Sequence, residues 1–202
     1  MRFKPLIASL MALLLMPALA SAHVGSMASI ATDTSWMNLF LQGLIHPLTG
    51  LDHLLAMISV GVWSAQTTRR VWLAPLLFAV MLLIGALLGM SGVSSPIAEP
   101  VVAASVVVLG WLVAMRVKFP VALGLGLVGV FALCHGLAHG AEFGSAGGVA
   151  GAALLMGMLF STIGLHLVGL MLGHTLKNQQ KITRAVGTFI ALMGGGLILQ
   201  LI

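Results

Sequence analysis

Long apolar runs, separated by short breaks rich in glycine, proline or charge, make up almost the whole chain from residue 36 onward. Since about 20 apolar residues span a bilayer, these runs predict six helices, near residues 36–65, 70–90, 96–115, 119–140, 147–174 and 182–202. We therefore expect an all-α membrane protein, a bundle of about six transmembrane helices. The first helix should be broken near Pro47–Gly50, because Pro47 lacks the N–H that a helix needs and Gly50 weakens the helix further.

The N-terminus has the pattern of a signal peptide. Arg2 and Lys4 precede a shorter apolar run over residues 6–19, and small residues follow at positions 20–22. We expect residues 1–22 to be a cleavable signal peptide and residues 23–202 to form one six-helix transmembrane domain; an uncleaved anchor helix is the alternative. Cleavage would leave His23 as the mature N-terminus, where its amine and imidazole form a chelating pair for a metal ion.

Composition and charge agree with a membrane protein. The chain is 60% hydrophobic and 6% charged, whereas a soluble domain carries about 25% charged residues. This composition excludes a water-soluble fold. We therefore expect the protein to be embedded in a lipid bilayer, which is its surrounding partner. The formal net charge of +5 is too sparse to form a nucleic-acid-binding surface. A single cysteine, Cys134, excludes an internal disulfide and a cysteine-based zinc module.

The basic residues indicate an orientation. Apart from Arg2 and Lys4, they all lie after the first, third and fifth predicted helices, at Arg69, Arg70, Arg116, Lys118, Lys177, Lys181 and Arg184. These connections share one side of the membrane, which the positive-inside rule assigns to the cytoplasm. The mature N-terminus is then expected on the outer side.

A first group of polar residues lies at the predicted break. His46 is followed by five residues and then by Asp52 and His53. Broken helices at membrane depth are tolerated where they line a cavity, and they hold ion sites in transporters. Two imidazoles and one carboxylate suit a borderline divalent metal ion such as Ni²⁺, Co²⁺ or Zn²⁺.

A second group lies in the outer part of the fourth predicted helix. His135, His139 and Glu142 fall within a sector of about 60° on a helix that turns about 100° per residue. They can therefore converge on one ion, although Gly140 could end the helix before Glu142. His166, in the inner half of the fifth helix, is a further candidate ligand. The alternative interpretation of both groups is structural hydrogen bonding between helices.

The two motifs, HPLTGLDHLLAM and HGLAHGAE, resemble those of the HupE/UreJ family of secondary nickel transporters. The resemblance extends over essentially the whole mature chain. It implies a permease of the bacterial inner membrane that takes up Ni²⁺, or Co²⁺ in some members, in support of hydrogenase or urease maturation. It also assigns the metal-binding role to the motif positions His46, Asp52, His53, His135, His139 and Glu142.

We therefore expect a transporter with no enzymatic activity and no bound cofactor, whose ligand is the transported ion. No nucleotide-binding motif, His-Glu-x-x-His motif or clear Ser-His pairing is present in the sequence. The alternative is a membrane protein that binds a metal or a haem without transport.

Overall fold

The structure, a computed structural model, describes residues 35–200, and within this part of the chain every regular element is an α-helix. The helices are α1 (Trp36–Thr49), α2 (Leu51–Thr67), α3 (Leu73–Met90), α4 (Ala98–Met115), α5 (Val121–Gly144), α6 (Gly148–Thr175) and α7 (Gln180–Ile198). The last five are each long and apolar enough to cross a membrane, and α1 with α2 forms one bent pair. The prediction of an all-α bundle is confirmed for the described residues, with five candidate spans, or six if the bent pair is one span. The predicted signal peptide and His23 lie outside the described residues.

The predicted break separates α1 from α2, whose axes differ by 78°. Pro47 remains inside α1, and the chain leaves the helix at Gly50. At the break, the His46 carbonyl accepts hydrogen bonds from the Gly50 N–H (3.3 Å) and the Thr49 hydroxyl (2.9 Å). A Cβ atom at residue 50 would lie 3.0 Å from Oδ1 of Asp52. Glycine at this position therefore leaves room for the polar side chains that begin α2.

The helices pack in pairs around α2. Fifteen of the seventeen residues of α2 are buried. Both α1 and α2 pack against α6, while α3 packs against α5 and α4 against α7. The outward-facing surfaces carry large exposed apolar side chains, among them Leu76, Val121, Val149, Met171 and Leu192. Helices that are apolar on the outside as well as the inside suit a lipid surrounding.

The α3–α5 contact is close because glycines meet there. A Cβ atom at Gly136 would lie 2.7 Å from the backbone nitrogen of Ala86 and 2.9 Å from Cα of Gly85. Two glycines thus bring the backbones together beside the histidines of α5, as small residues do between membrane helices.

Gly136→Ala is expected to separate α3 from α5 and to destabilise the protein by about 1–3 kcal/mol, the usual range for overpacking. Thermal unfolding of the detergent-solubilised protein would measure the change as a lower Tm. The matched control is Gly126→Ala on the same helix, where an added Cβ meets nothing within 4 Å. Equal Tm values for the two variants would contradict the close contact.

Candidate metal centre

Three helix ends converge at one place in the bundle. His46 lies in the last turn of α1, and Asp52 lies in the first turn of α2, next to His53. The second motif occupies the last three turns of α5, which contain His135, His139 and Glu142. Because α2 begins and α5 ends on the same side of the bundle, the two motifs come together even though more than eighty residues separate them.

His139 is the centre of this cluster. Its Nδ1 atom lies 3.1 Å from Nε2 of His46 and 3.5 Å from Oε2 of Glu142. On the opposite edge of the ring, Nε2 of His139 contacts Nε2 of His53. One imidazole therefore joins ligands from α1, α2 and α5.

One set of neutral tautomers satisfies the contacts among Asp52 and the three imidazoles, with Nδ1 of His139 left without a proton for Glu142. His53 donates its Nδ1–H to Oδ1 of Asp52 over 2.6 Å, which leaves its Nε2 bare. His139 can then donate its Nε2–H to His53, and His46 can donate its Nε2–H to Nδ1 of His139. A neutral imidazole has one donor and one acceptor nitrogen, so this assignment leaves no proton in conflict.

The outer part of the cluster contains three residues that could hold a metal ion. One ligand atom each from His46, His139 and Glu142 lies within 4.8 Å of the other two. Ligand atoms bound to one ion at about 2.1 Å lie at most about 4.2 Å apart. A contraction of about half an ångström would therefore allow these three residues to bind a single ion.

Asp52 stands behind this group and is not a member of it. Its Oδ1 accepts hydrogen bonds from the His53 backbone N–H over 2.8 Å and from the His53 ring. A carboxylate that holds the far nitrogen of a metal-binding histidine fixes the orientation of the ring and raises its basicity. The position of Asp52 thus suits orienting His53 toward the ion.

His135 lies on the deeper side of the cluster. Its ring centroid is 4.9 Å from that of His53, and its Nδ1–H donates to the Phe131 carbonyl over 2.8 Å. Its Nε2 atom is buried and has no hydrogen-bond partner among residues 35–200. A buried polar atom of this kind calls for an explanation, and a bare nitrogen aimed into the bundle can bind a cation.

Exposure decreases from the carboxylates to the imidazoles. The side chains of Glu142 and Asp52 are 40% and 31% exposed, whereas those of His139 and His53 are 9% and 7% exposed. Acidic groups at an opening raise the local concentration of cations. A cation therefore meets carboxylates before it reaches the buried nitrogens.

Phe143 closes one side of the cluster and was not identified from the sequence. Its ring stacks on His139 with centroids 5.7 Å apart and meets His46 edge-on at the same separation. It is 1% exposed. Its position four residues after His139, on the same face of α5, is the signal that could have identified it.

The remaining histidines in the described part of the chain lie apart from this cluster. His166 is buried on α6, where its ring contacts Phe78, and Phe78 also contacts His135. His174 is exposed in the last turn of α6. Cys134 packs with Ala98 and Val102, away from the imidazoles.

Comparisons with known proteins agree with this picture. A family model described as "HupE / UreJ protein" matches residues 11–197. The chain is 36% identical over 195 residues to "Protein HupE" of Rhizobium leguminosarum bv. viciae, with 95% of this chain and 96% of that protein covered. No solved structure matches.

Proposed function

Since the chain belongs to the HupE/UreJ family of membrane transporters, we propose that it is a secondary permease for uptake of a divalent transition-metal ion. We take Ni²⁺ as the main cargo and Co²⁺ as the alternative. The observation that carries this proposal is the convergence of both histidine motifs on His139, with His46, His139 and Glu142 spaced for one ion. The proposed ligand set also includes His53 and His135, with Asp52 as the residue that orients His53.

The donor chemistry supports a transition metal. Imidazole nitrogen is a good ligand for Ni²⁺, Co²⁺ and Zn²⁺, whereas Mg²⁺ and Ca²⁺ prefer oxygen ligands. Imidazole nitrogens in direct contact leave no space for a porphyrin between them, so the cluster does not favour the haem alternative. The contacts among His46, His139 and His53 thus suit a metal ion that is not held in a porphyrin.

The basic connections support inward transport. Arg69, Arg70 and Lys118 lie at the opposite end of the bundle from the cluster, next to the end of α2 and the start of α5. By the positive-inside rule, we place that end in the cytoplasm and the cluster near the outer face of a bacterial inner membrane. A dication moving inward gains about 4.6 kcal/mol per 100 mV of membrane potential, so uptake needs no ATP.

The arrangement suggests an order of steps. The ion first meets the exposed carboxylate of Glu142, loses water and binds between His46 and His139. For His46 to bind the ion through Nε2, its ring proton moves to Nδ1, because a neutral imidazole coordinates a metal only through its bare nitrogen. The two nitrogens of His139 face opposite sides, so the ion next passes to the side of His53 and His135.

Delivery of the metal ion to hydrogenase or urease maturation is the cellular role that we propose.

The deciding experiment is uptake of radioactive Ni²⁺ into proteoliposomes with an inside-negative potential. Uptake should exceed that of protein-free vesicles, fall when Co²⁺ is added in excess, and be indifferent to the same excess of Mg²⁺. The reason is that cobalt shares the nitrogen preference of nickel and magnesium does not.

Absence of uptake by a protein that binds Ni²⁺ in detergent would replace this proposal with a binding role. Equal competition by Mg²⁺ would instead contradict the nitrogen ligands.

A further inference from the structure

One aromatic ring contacts both the candidate metal centre and the next histidine inward. Phe78 on α3 is fully buried, and its ring centroid lies 5.6 Å from that of His135 and 5.0 Å from that of His166. The ring therefore contacts both the deepest histidine of the cluster and a histidine of α6.

His166 is buried without a structural task for its nitrogens. The residue is 2% exposed, and neither Nδ1 nor Nε2 has a hydrogen-bond partner in the described part of the chain. Burying an unpartnered polar group costs free energy, so such groups are rare in folded proteins. In either neutral tautomer, one nitrogen of His166 has a free lone pair for a cation.

The order His135, Phe78, His166 runs from the cluster toward the side of the bundle that carries the basic connections. Because α5 runs away from the basic connections and α6 returns toward them, His166 lies nearer to that side than the cluster does. Beside His166, a cleft of about 250 Å³ between α3 and α6 extends to Trp72; apart from His166 its lining is apolar, and it opens to the outside of the bundle at Leu76. Only Val71 separates Trp72 from Arg69 and Arg70, so the cleft ends near the basic connection.

We propose that His166 is an inner metal-binding station and that the Phe78 ring is the gate between His135 and this station. The proposal rests on the proposed transport function. With the ring in place, an apolar constriction excludes water and ions, as hydrophobic gates do in channels. When the ring turns aside, an ion on Nε2 of His135 finds the bare nitrogen of His166 as its next ligand.

The station is tested with His166→Leu in the reconstituted full-length protein. Leucine fills the space and removes only nitrogens that make no hydrogen bond, so the Tm should not fall. The initial rate of Ni²⁺ uptake should drop about tenfold, the effect of raising one barrier by about 1.4 kcal/mol. Equilibrium Ni²⁺ binding in detergent, measured by calorimetry, should retain the affinity of the outer cluster. His174→Leu, an exposed histidine on the same helix, is the matched control and should leave the rate unchanged.

The gate is tested with Phe78→Leu, which keeps most of the buried volume, and with Phe78→Ala. Both should raise the initial uptake rate, about threefold or more for alanine, because a smaller barrier must open. Alanine should also admit water, so the vesicles should leak protons in the absence of metal, as followed with an internal pH dye. Phe160→Leu, at an exposed aromatic on α6, should do neither.

The outcomes separate the two proposals. If wild-type protein gives no uptake above protein-free vesicles, the transport function itself fails. If the wild type transports and His166→Leu transports equally fast, the station is wrong. A Phe78→Leu rate at or below that of the wild type overturns the gate, even if Phe78→Ala does not fold.

Discussion

His139→Leu is expected to abolish metal uptake. This imidazole is the one side chain that contacts His46, His53 and Glu142, and its two nitrogens serve the outer and deeper sides of the centre. Loss of a residue that only orients a ligand costs about 10–100-fold in metal affinity. Removal of the shared ligand should exceed that range, both in Ni²⁺ affinity in detergent and in the initial rate of uptake by proteoliposomes.

The control for His139→Leu is His174→Leu, which makes the same chemical change at an exposed position outside the cluster. Size-exclusion elution and helical circular dichroism should match the wild type for both variants, since leucine fills the space of imidazole. Uptake by folded His139→Leu at the wild-type rate would remove His139 from the ion path.

The second large effect is expected for Asp52→Asn. The amide oxygen of asparagine can still accept the Nδ1–H of His53, so the ring should keep its orientation. The negative charge beside His53, which would balance a bound dication, is lost. We expect Ni²⁺ affinity and the initial uptake rate to fall about 10–100-fold.

Glu99→Gln provides the matched control, because it removes the same charge from an exposed carboxylate in the first turn of α4. Its uptake should equal that of the wild type if position, and not total charge, matters. Equal losses in Asp52→Asn and Glu99→Gln would show that the carboxylates act only through the overall surface potential.

Much of the architecture could be predicted from local pattern. The spans follow from apolar runs of membrane length, and the break follows from Pro47 and Gly50, which act within their own segment. The position of the bend needed the structure. Pro47 is accommodated inside α1, and the turn occurs at Gly50, where room is needed for the side chains that begin α2.

The sequence could name the candidate residues of the site, but it could not predict which of them contact one another. The helical stripe of His135, His139 and Glu142 is local, but contact of His139 with His46 and His53 depends on which helices pack together. Helical periodicity shows which residues share one face of a helix, but it does not show which other helix packs against that face. For the same reason, the hydrogen bond between the Asp52 carboxylate and the His53 ring and the aromatic neighbours Phe78 and Phe143 were not foreseen.

The bend between α1 and α2 also sets the local electric field. A helix has a partial negative charge at its C-terminus and a partial positive charge at its N-terminus. The C-terminal end of α1 carries His46, and the N-terminal end of α2 carries Asp52. A dication bound beside His46 would therefore be attracted by the backbone dipole of one half-helix, while the other half-helix stabilises the carboxylate. A continuous helix would offer neither end here, so the interruption itself would help to hold such an ion.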